Sequence, residues 1–317
     1  MFIGVDLGGT SIKVGVVSLD GKILYQNSKP TYAGRDFQLI IRDMIEQIED
    51  AIDCVNIGID EIRSIGIGVP GIAEAHTGKV IYCTNLSWYN IPLGEEISRH
   101  FGKPVYVEND ATVAALAEYV AGSTKGIKNS VFLTIGTGIG SGIIINHKIY
   151  SGSHSAGSEF GHMIIGENFY NCNCGANGCF ETLASATALI RYTRKRIEEG
   201  YKDTNILRMA NGKIEDIDAK IIFDAAKAGD SLGVEAVDRM IKYLSIGIVN
   251  IMNSLDPDRV VIGGGVSKAG DYFIQQVDDA VRKLVLCKEI QYGDIVLAQL
   301  GNEAGIIGAA FIGENII

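Results

Sequence analysis

The chain opens on an apolar run, FIGVDL at 2–7, which breaks at Gly8-Gly9-Thr10 and resumes as the loosely alternating IKVGVVSL. A period of two marks strands. Asp20-Gly21 is a hairpin signal, and KILYQNSK continues beyond it. From residue 36 the spacing changes. DFQLIIRDMIEQIEDAIDCVNI sets apolar side chains three and four apart, which predicts an amphipathic helix over 36–57. The run IRSIGIGV at 62–69 predicts a buried strand ended by Pro70-Gly71. Residues 93–101 read as a short helix, PVYVEN as a strand, and the alanine-rich stretch 110–121 as a helix stopped by Gly122.

A similar opening then recurs. SVFLTIGTGIGSGIIINHKIYSG reads as strand, glycine turn, strand, turn, strand. Asp6-Leu7-Gly8-Gly9-Thr10 lies over Thr134-Ile135-Gly136-Thr137-Gly138 at an offset of 128, and Lys22-Ile23 matches Lys148-Ile149 after a two-residue gap. As a repeat, this means two domains of like fold. Helical stretches at 183–199, 219–228, 231–255, 270–286 and 302–313 surround the strand-like RVVIGGGVS and IVLAQL. Strands alternating with helices predict an α/β architecture with mixed sheets. The length of 317 residues also favours two domains.

Charge narrows the function classes. Lys plus Arg is 28 and Asp plus Glu is 38, a net charge of −10, with no basic cluster. Nucleic acid and anionic membranes are therefore poor partners. No uninterrupted apolar run reaches the ~18 residues of a membrane helix. Asp6 and the lack of a basic start argue against a signal peptide, so a cytoplasmic protein is expected.

The unusual number is 39 glycines among 317 residues, about 12% against a usual ~7%. Three clusters follow predicted strands: Gly8-Gly9-Thr10, Gly136-Thr137-Gly138-Ile139-Gly140 and Gly263-Gly264-Gly265. Such turns can present successive N–H groups to a phosphate, with Thr10 and Thr137 adding hydroxyls. They are also ordinary tight hairpins, and both readings stand. A literal G-x-G-x-x-G at Gly66, Gly68 and Gly71 contains Pro70 and opens no helix, so it is not a dinucleotide fingerprint. No G-x-x-x-x-G-K-[ST] is present.

Asn109-Asp110 falls where a strand ends and a helix begins. Both residue types are favoured helix N-caps. If one caps, Asp110 can point into a cleft and take a proton from a substrate hydroxyl. The helix start would keep it charged. A modest base suffices for phosphoryl transfer, where positioning and charge stabilisation dominate.

His162, Cys172, Cys174 and Cys179 lie within 18 residues, a set suited to a structural Cys₃His zinc site. Gly175 and Gly178 allow the tight knuckle, and the same loop carries Glu159 and Glu181. Cys54, Cys83 and Cys287 are isolated and read as inert, buried thiols. His76, His100, His147 and His154 read as surface residues.

These motifs resemble the ROK group (repressors, uncharacterised reading frames and sugar kinases) within the actin-like ATPase superfamily. The resemblance covers nearly the whole chain: DLGGTSIKVG at 6–15, GVPG at 68–71, END at 108–110, GTGIGSGI at 136–143, the stretch Glu159 to His162, CNCGANGC at 172–179 and ETLASA at 181–186. NLSWYNIPL at 85–93 and ETLASAT look most like the bacterial glucokinases within it.

The resemblance implies two actin-like, ribonuclease H-like domains with ATP and sugar in the cleft between them. The smaller would be 1–115 plus a C-terminal helix at 303–317; the larger would be 116–302 with the zinc knuckle. It implies ATP-dependent phosphorylation of glucose at the 6-hydroxyl, with Asp110 as base. Gly71, Asn85, Asn109, Glu159, His162 and Glu181 would bind the sugar. Asp6, Gly8, Gly9, Thr10 and Lys13 would line the first phosphate site, and Gly136, Thr137 and Gly138 the second. Gly264 and Gly265 would approach the adenosine. Mg²⁺ would ride on the nucleotide, His162, Cys172, Cys174 and Cys179 would hold one structural Zn²⁺, and a homodimer or dimer of dimers is expected.

Carboxylates suit a neutral polyol and would repel an anionic sugar. The alternatives are another ROK hexose kinase (fructose, mannose, allose or N-acetylhexosamine) or a non-catalytic sugar-sensing regulator. The repressor branch carries an N-terminal helix-turn-helix, and this chain starts at the first phosphate strand, which disfavours that branch.

Overall fold

In the computed structural model, residues 1–75 and 77–315 are described, so the reading of His76 lies outside the described residues, as do the last two positions of the 303–317 segment. In chain order the strands are β1 (Phe2–Leu7), β2 (Ser11–Val17), β3 (Ile23–Pro30), β4 (Ile65–Val69), β5 (Ile72–Glu74), β6 (Lys79–Cys83), β7 (Trp88–Ile91), β8 (Val105–Asn109), β9 (Ser130–Ile135), β10 (Ile139–Ile145), β11 (Lys148–Ile149), β12 (Arg259–Gly263) and β13 (Asp294–Leu297). The helices are α1 (Phe37–Val55), α2 (Leu93–Phe101), α3 (Asp110–Ala121), α4 (Phe180–Ala184), α5 (Ala186–Glu198), α6 (Ile206–Met209), α7 (Ala219–Lys227), α8 (Ser231–Leu255), α9 (Asp271–Leu284), α10 (Ala304–Ala310) and α11 (Ile312–Asn315).

Two five-stranded sheets share one plan. Their orders are β3-β2-β1-β4-β8 and β11-β10-β9-β12-β13. In the first, β1 runs antiparallel to β2 and parallel to β4, so the sheet is mixed. The repeat is visible in the bounds: 2–7 and 11–17 shifted by 128 become 130–135 and 139–145, the bounds of β9 and β10. The α/β expectation with mixed sheets holds. A third sheet, β5-β6-β7, is antiparallel and is absent from the sequence reading.

Contacts divide the chain into two units. One comprises Met1–Phe132, Gly142–Ser158 and Ala298–Ile317; the other comprises Leu133–Ser141 and Glu159–Leu297. In the first unit, alternation along β1 sends side chains to opposite faces. Ile3, Val5 and Leu7 join Ile40, Met44 and Ile48 of α1 and Ile97 of α2 in one core. Phe2 faces the other way, with Val113 and Leu116 of α3 and Ile306 of α10. On that face α10 comes very close to the sheet: a Cβ at Gly66 would lie 1.7 Å from the Ala309 carbonyl oxygen.

In the second unit, α8 buries Leu232, Ala236, Met240, Leu244, Ile248 and Ile251 at helical spacing. Gly247 admits the Phe180 ring of α4 against it. The helix expected at 183–199 is divided. Ser185 leaves helical geometry, and its hydroxyl accepts from Ala188 N–H to start α5 afresh.

Candidate functional site

In the first unit, β1 and β2 set Asp6 opposite Lys13, and Lys13 Nζ lies 2.9 Å from Asp6 Oδ2. Gly305, at the start of α10, lies under that carboxylate, where a Cβ would be 2.6 Å from Asp6 Cγ. The Gly8-Gly9-Thr10 turn is braced: Gly8 N–H donates to Ser11 O at 2.9 Å, and Thr31 Oγ1 donates to Gly8 O at 2.7 Å. The Gly8 N–H is thus spent inside the hairpin. Asn85 stands beside this turn, its Cβ 3.5 Å from where a Gly9 Cβ would be.

The strand-to-helix corner assigns the cap. Asn109 Oδ1 accepts from Ala111 N–H at 2.9 Å and Thr112 N–H at 3.2 Å, while its Nδ2 donates to Gly71 O at 3.1 Å. Asp110 is the exposed first residue of α3. Cys83 shares the corner, its Sγ 3.3 Å from Pro70 O. Burial raises the Cys83 thiol pKa, and the negative charge of Asp110 adds to the rise. Gly71, Asn85, Asn109 and Asp110 therefore gather at one end of β4 and β8.

In the second unit, Gly136 N–H is likewise spent within its turn, on Gly138 O at 3.0 Å. Glu181 abuts that turn, with Oε2 2.4 Å from the place of a Gly138 Cβ. Gly264 has φ +80°, and a Cβ there would be 2.6 Å from Ile135 N. Its want of a side chain is thus explained by the end of β9, whereas Gly265 has open space around it. Glu159 caps the turn at 160–162, and His162 is its last residue. Loss of hydration raises the Glu159 carboxyl pKa; His162 opposes the rise and Glu181 adds to it. Glu159 still reaches solvent, so the rise is tempered.

His162, Cys172, Cys174 and Cys179 offer ligand atoms that all lie within 4.8 Å of one another. Cys172 Sγ is 3.7 Å from His162 Nδ1, and Cys174 Sγ is 3.6 Å from Cys179 Sγ. A tetrahedron with Zn–S bonds of about 2.3 Å has edges of about 3.8 Å. The donor set fits such an ion. The Ala176 N–H, with the Cys172 and Cys179 thiols, lowers the Cys174 pKa to about 7, towards the thiolate a metal requires. Of the other cysteines Cys83 is buried as expected, while Cys54 is exposed, at the last turn of α1, and Cys287 is partly so. His100, His147 and His154 are at the surface, as read.

Sequence reasoning missed Gly305, Thr31 and Glu108. Glu108 is 2% exposed, and its carboxylate accepts from Asn109 N–H and Ser151 Oγ, both at 2.9 Å. A charged residue before the Asn-Asp corner was the available signal.

Over residues 2–315 the chain matches the family described as the ROK family. It belongs to that family. A glucokinase of Thermotoga maritima is 36% identical over 313 residues, covering 98% of this chain and 96% of the relative. A putative xylose repressor of a Caldicellulosiruptor species is 32% identical over 308 residues, covering 97% of this chain and 76% of the relative. The crystal structure of a ROK family glucokinase from Streptomyces griseus in complex with glucose and AMPPNP superposes with a TM-score of 0.80 at 31% identity, covering 98% and 97% of the two chains. The fold is the actin-like, ribonuclease H-like one of the ROK sugar kinases. Among the described residues no helix is long and apolar enough to cross a membrane.

Proposed function

We propose that this ROK protein is an ATP-dependent hexose kinase that phosphorylates the 6-hydroxyl of glucose. One observation carries the reading: beside Asn109, which takes the helix cap and the bond to Gly71, Asp110 is an exposed carboxylate at the strand end. Asp110 would accept the 6-hydroxyl proton as the oxygen attacks the γ-phosphorus and ADP departs. From the first unit, Asn109, Asn85 and Gly71 O would hold sugar hydroxyls. From the second, Glu159, His162 and Glu181 would do so. Gly8, Gly9, Thr10 and Lys13 would line one phosphate site, with Asp6 orienting water on Mg²⁺, and Gly136, Thr137 and Gly138 the other. A cavity of about 90 Å³ lined by Phe223, Val234, Val237 and Tyr272 reaches Ala269, the end of the turn begun at Gly265, and suits the flat apolar faces of the adenosine base. His162, Cys172, Cys174 and Cys179 would hold one zinc. With four protein ligands it would be structural, fixing the loop that carries Glu159 and Glu181.

The test is ADP release over a panel of hexoses. Turnover is expected with glucose, and Asp110→Asn should abolish it while leaving glucose affinity within roughly tenfold, about 1.4 kcal/mol. Near-normal turnover in that variant would remove Asp110 as the base. A second reading, a non-catalytic sugar sensor, draws on the repressor relative; it predicts hexose binding with no ADP release from the wild type.

A further inference from the structure

The two glycine turns differ in charge. Asp6 and Lys13 flank the first, and the residues 128 positions on are Thr134 and Ser141. The second turn therefore lacks a cation of its own. A cavity of about 180 Å³ opens beside Thr137 and Gly138, and α5 forms its far wall. The Ala186 N–H donates to Gly136 O at 2.9 Å, which ties the first residue of α5 to the glycine turn. Thr187 and Arg191 are four apart, so they share a helix face, and both line the cavity.

The Arg191 guanidinium sits over the Tyr170 ring, 4.4 Å from its centroid. Among the described residues no carboxylate lies within ion-pair distance of it: the salt bridges of this unit go to Lys195, Arg196, Lys220, Arg259 and Arg282. Ser185 also lines the cavity. Its hydroxyl oxygen accepts from Ala188 N–H, which leaves its proton to donate elsewhere. The one carboxylate in the wall is Glu181, whose Oε1 accepts from Cys172 Sγ at 3.0 Å.

We propose that this cavity is a phosphate subsite, with Arg191 and Thr187 as its side-chain donors beside Thr137. A guanidinium offers two parallel N–H groups to a tetrahedral oxyanion, and the ring beneath holds it flat before the ligand arrives. The inference rests on the kinase reading for the source of the phosphate. Two sources share the chemistry: a phosphate chain longer than the two sites of the proposed donor need, and the phosphate of a hexose 6-phosphate.

Calorimetric titration of the full-length protein with inorganic tripolyphosphate, and separately with glucose 6-phosphate, distinguishes them. Neither ATP nor free sugar is present, so the readout is independent of turnover. At least one ligand is expected to bind, more weakly as salt rises. Arg191→Gln should weaken it roughly tenfold or more, Arg191→Lys less, and Thr187→Val by about threefold. Wild-type protein that binds neither ligand overturns the subsite, as does Arg191→Gln with unchanged affinity. Should Arg191→Gln fail to fold, Thr187→Val, which keeps the cation, decides by the same criterion. Binding that persists in a protein with no ADP release sinks the kinase reading alone; turnover with no phosphate binding sinks the subsite alone.

Discussion

Glu118 of α3 is 1% exposed and accepts four hydrogen bonds. Oε2 takes Ser123 N–H at 2.7 Å and Ser123 Oγ at 2.8 Å; Oε1 takes Gln299 N–H and Leu300 N–H, both at 2.9 Å. It thereby fixes the segment that leads into α10, and α10 carries Gly305 under Asp6. Consider Glu118→Gln. The amide nitrogen must replace one oxygen. At Oε1 it would face two backbone donors. At Oε2 it faces one, because the Ser123 hydroxyl can turn to accept. The second orientation wins and strands one buried N–H, at about 1–3 kcal/mol. The two remaining bonds lose their charge assistance and weaken by roughly half. No longer burying a charge offsets part of this, and the net cost is about 2–3 kcal/mol. Glu118→Ala strands three backbone N–H groups and should cost about 3–5 kcal/mol, the scale of breaking a buried charged network. Urea unfolding at pH 7, with equal slopes for all variants, measures both. A loss under about 0.5 kcal/mol in the alanine variant, or a glutamine variant less stable than it, would refute the reasoning.

Three further outcomes follow from the same structure. Protein purified under reducing conditions should contain about one zinc per chain; Cys174→Ser should lower it, and zinc should leave as pH falls because the ligands must be deprotonated. Less than half a zinc per chain by elemental analysis counts against the cluster. Burial raises the Glu108 carboxyl pKa, opposed by the Asn109 and Ser151 bonds. The folded state then holds this proton more tightly than the unfolded chain, so the contribution to stability is full below about pH 4.3 and is lost as pH rises through the folded value. Glu108→Gln should lack that decline in urea midpoints between pH 4 and 8; an unchanged pH profile contradicts it. Gly66→Ala meets backbone at 1.7 Å, so a loss of at least about 3 kcal/mol by thermal unfolding is expected.

Legibility in the sequence followed burial and length. The helices at 93–101, 110–121 and 231–255 have the expected bounds: 93–101 and 231–255 carry an apolar stripe, whereas 110–121 is buried almost all round and was legible from its alanines and from Gly122. The sheet β5-β6-β7 was invisible. Its strands are three to five residues long, and residues such as Glu74, Lys79, Tyr89 and Asn90 blur any alternation. The break at Ser185 was hidden for another reason: Ser is tolerable inside a helix, and only the bond from Ala188 N–H to its hydroxyl shows the restart. At the site, the Asn109–Asp110 corner and the cysteine cluster were legible from local spacing. Gly305 beneath Asp6 was not, since that contact spans nearly the whole chain. Many of the 39 glycines clear room for the protein's own backbone, as Gly66 and Gly264 show, and only some can serve a ligand.

The repeat explains why the two turns need different partners. A shift of 128 preserves β1-β2 in β9-β10 to the residue, so the scaffold of the two turns is one design used twice. The side chains on it have diverged. Gly9 becomes Thr137, Thr10 becomes Gly138, and the Asp6–Lys13 pair becomes Thr134 and Ser141. A turn with its own ion pair can place a cation and a carboxylate at one phosphate without help. A neutral turn offers only N–H groups and a hydroxyl, and one of those N–H groups is already spent on Gly138 O. Positive charge for the second turn has to come from outside the repeat, and in the second unit the bond from Ala186 to Gly136 brings α5, with Arg191, to that place. With positions 134 and 141 uncharged, Arg191 of α5 is the cation the second turn draws on, so Arg191→Gln should flatten the salt dependence of phosphate binding as well as weaken it.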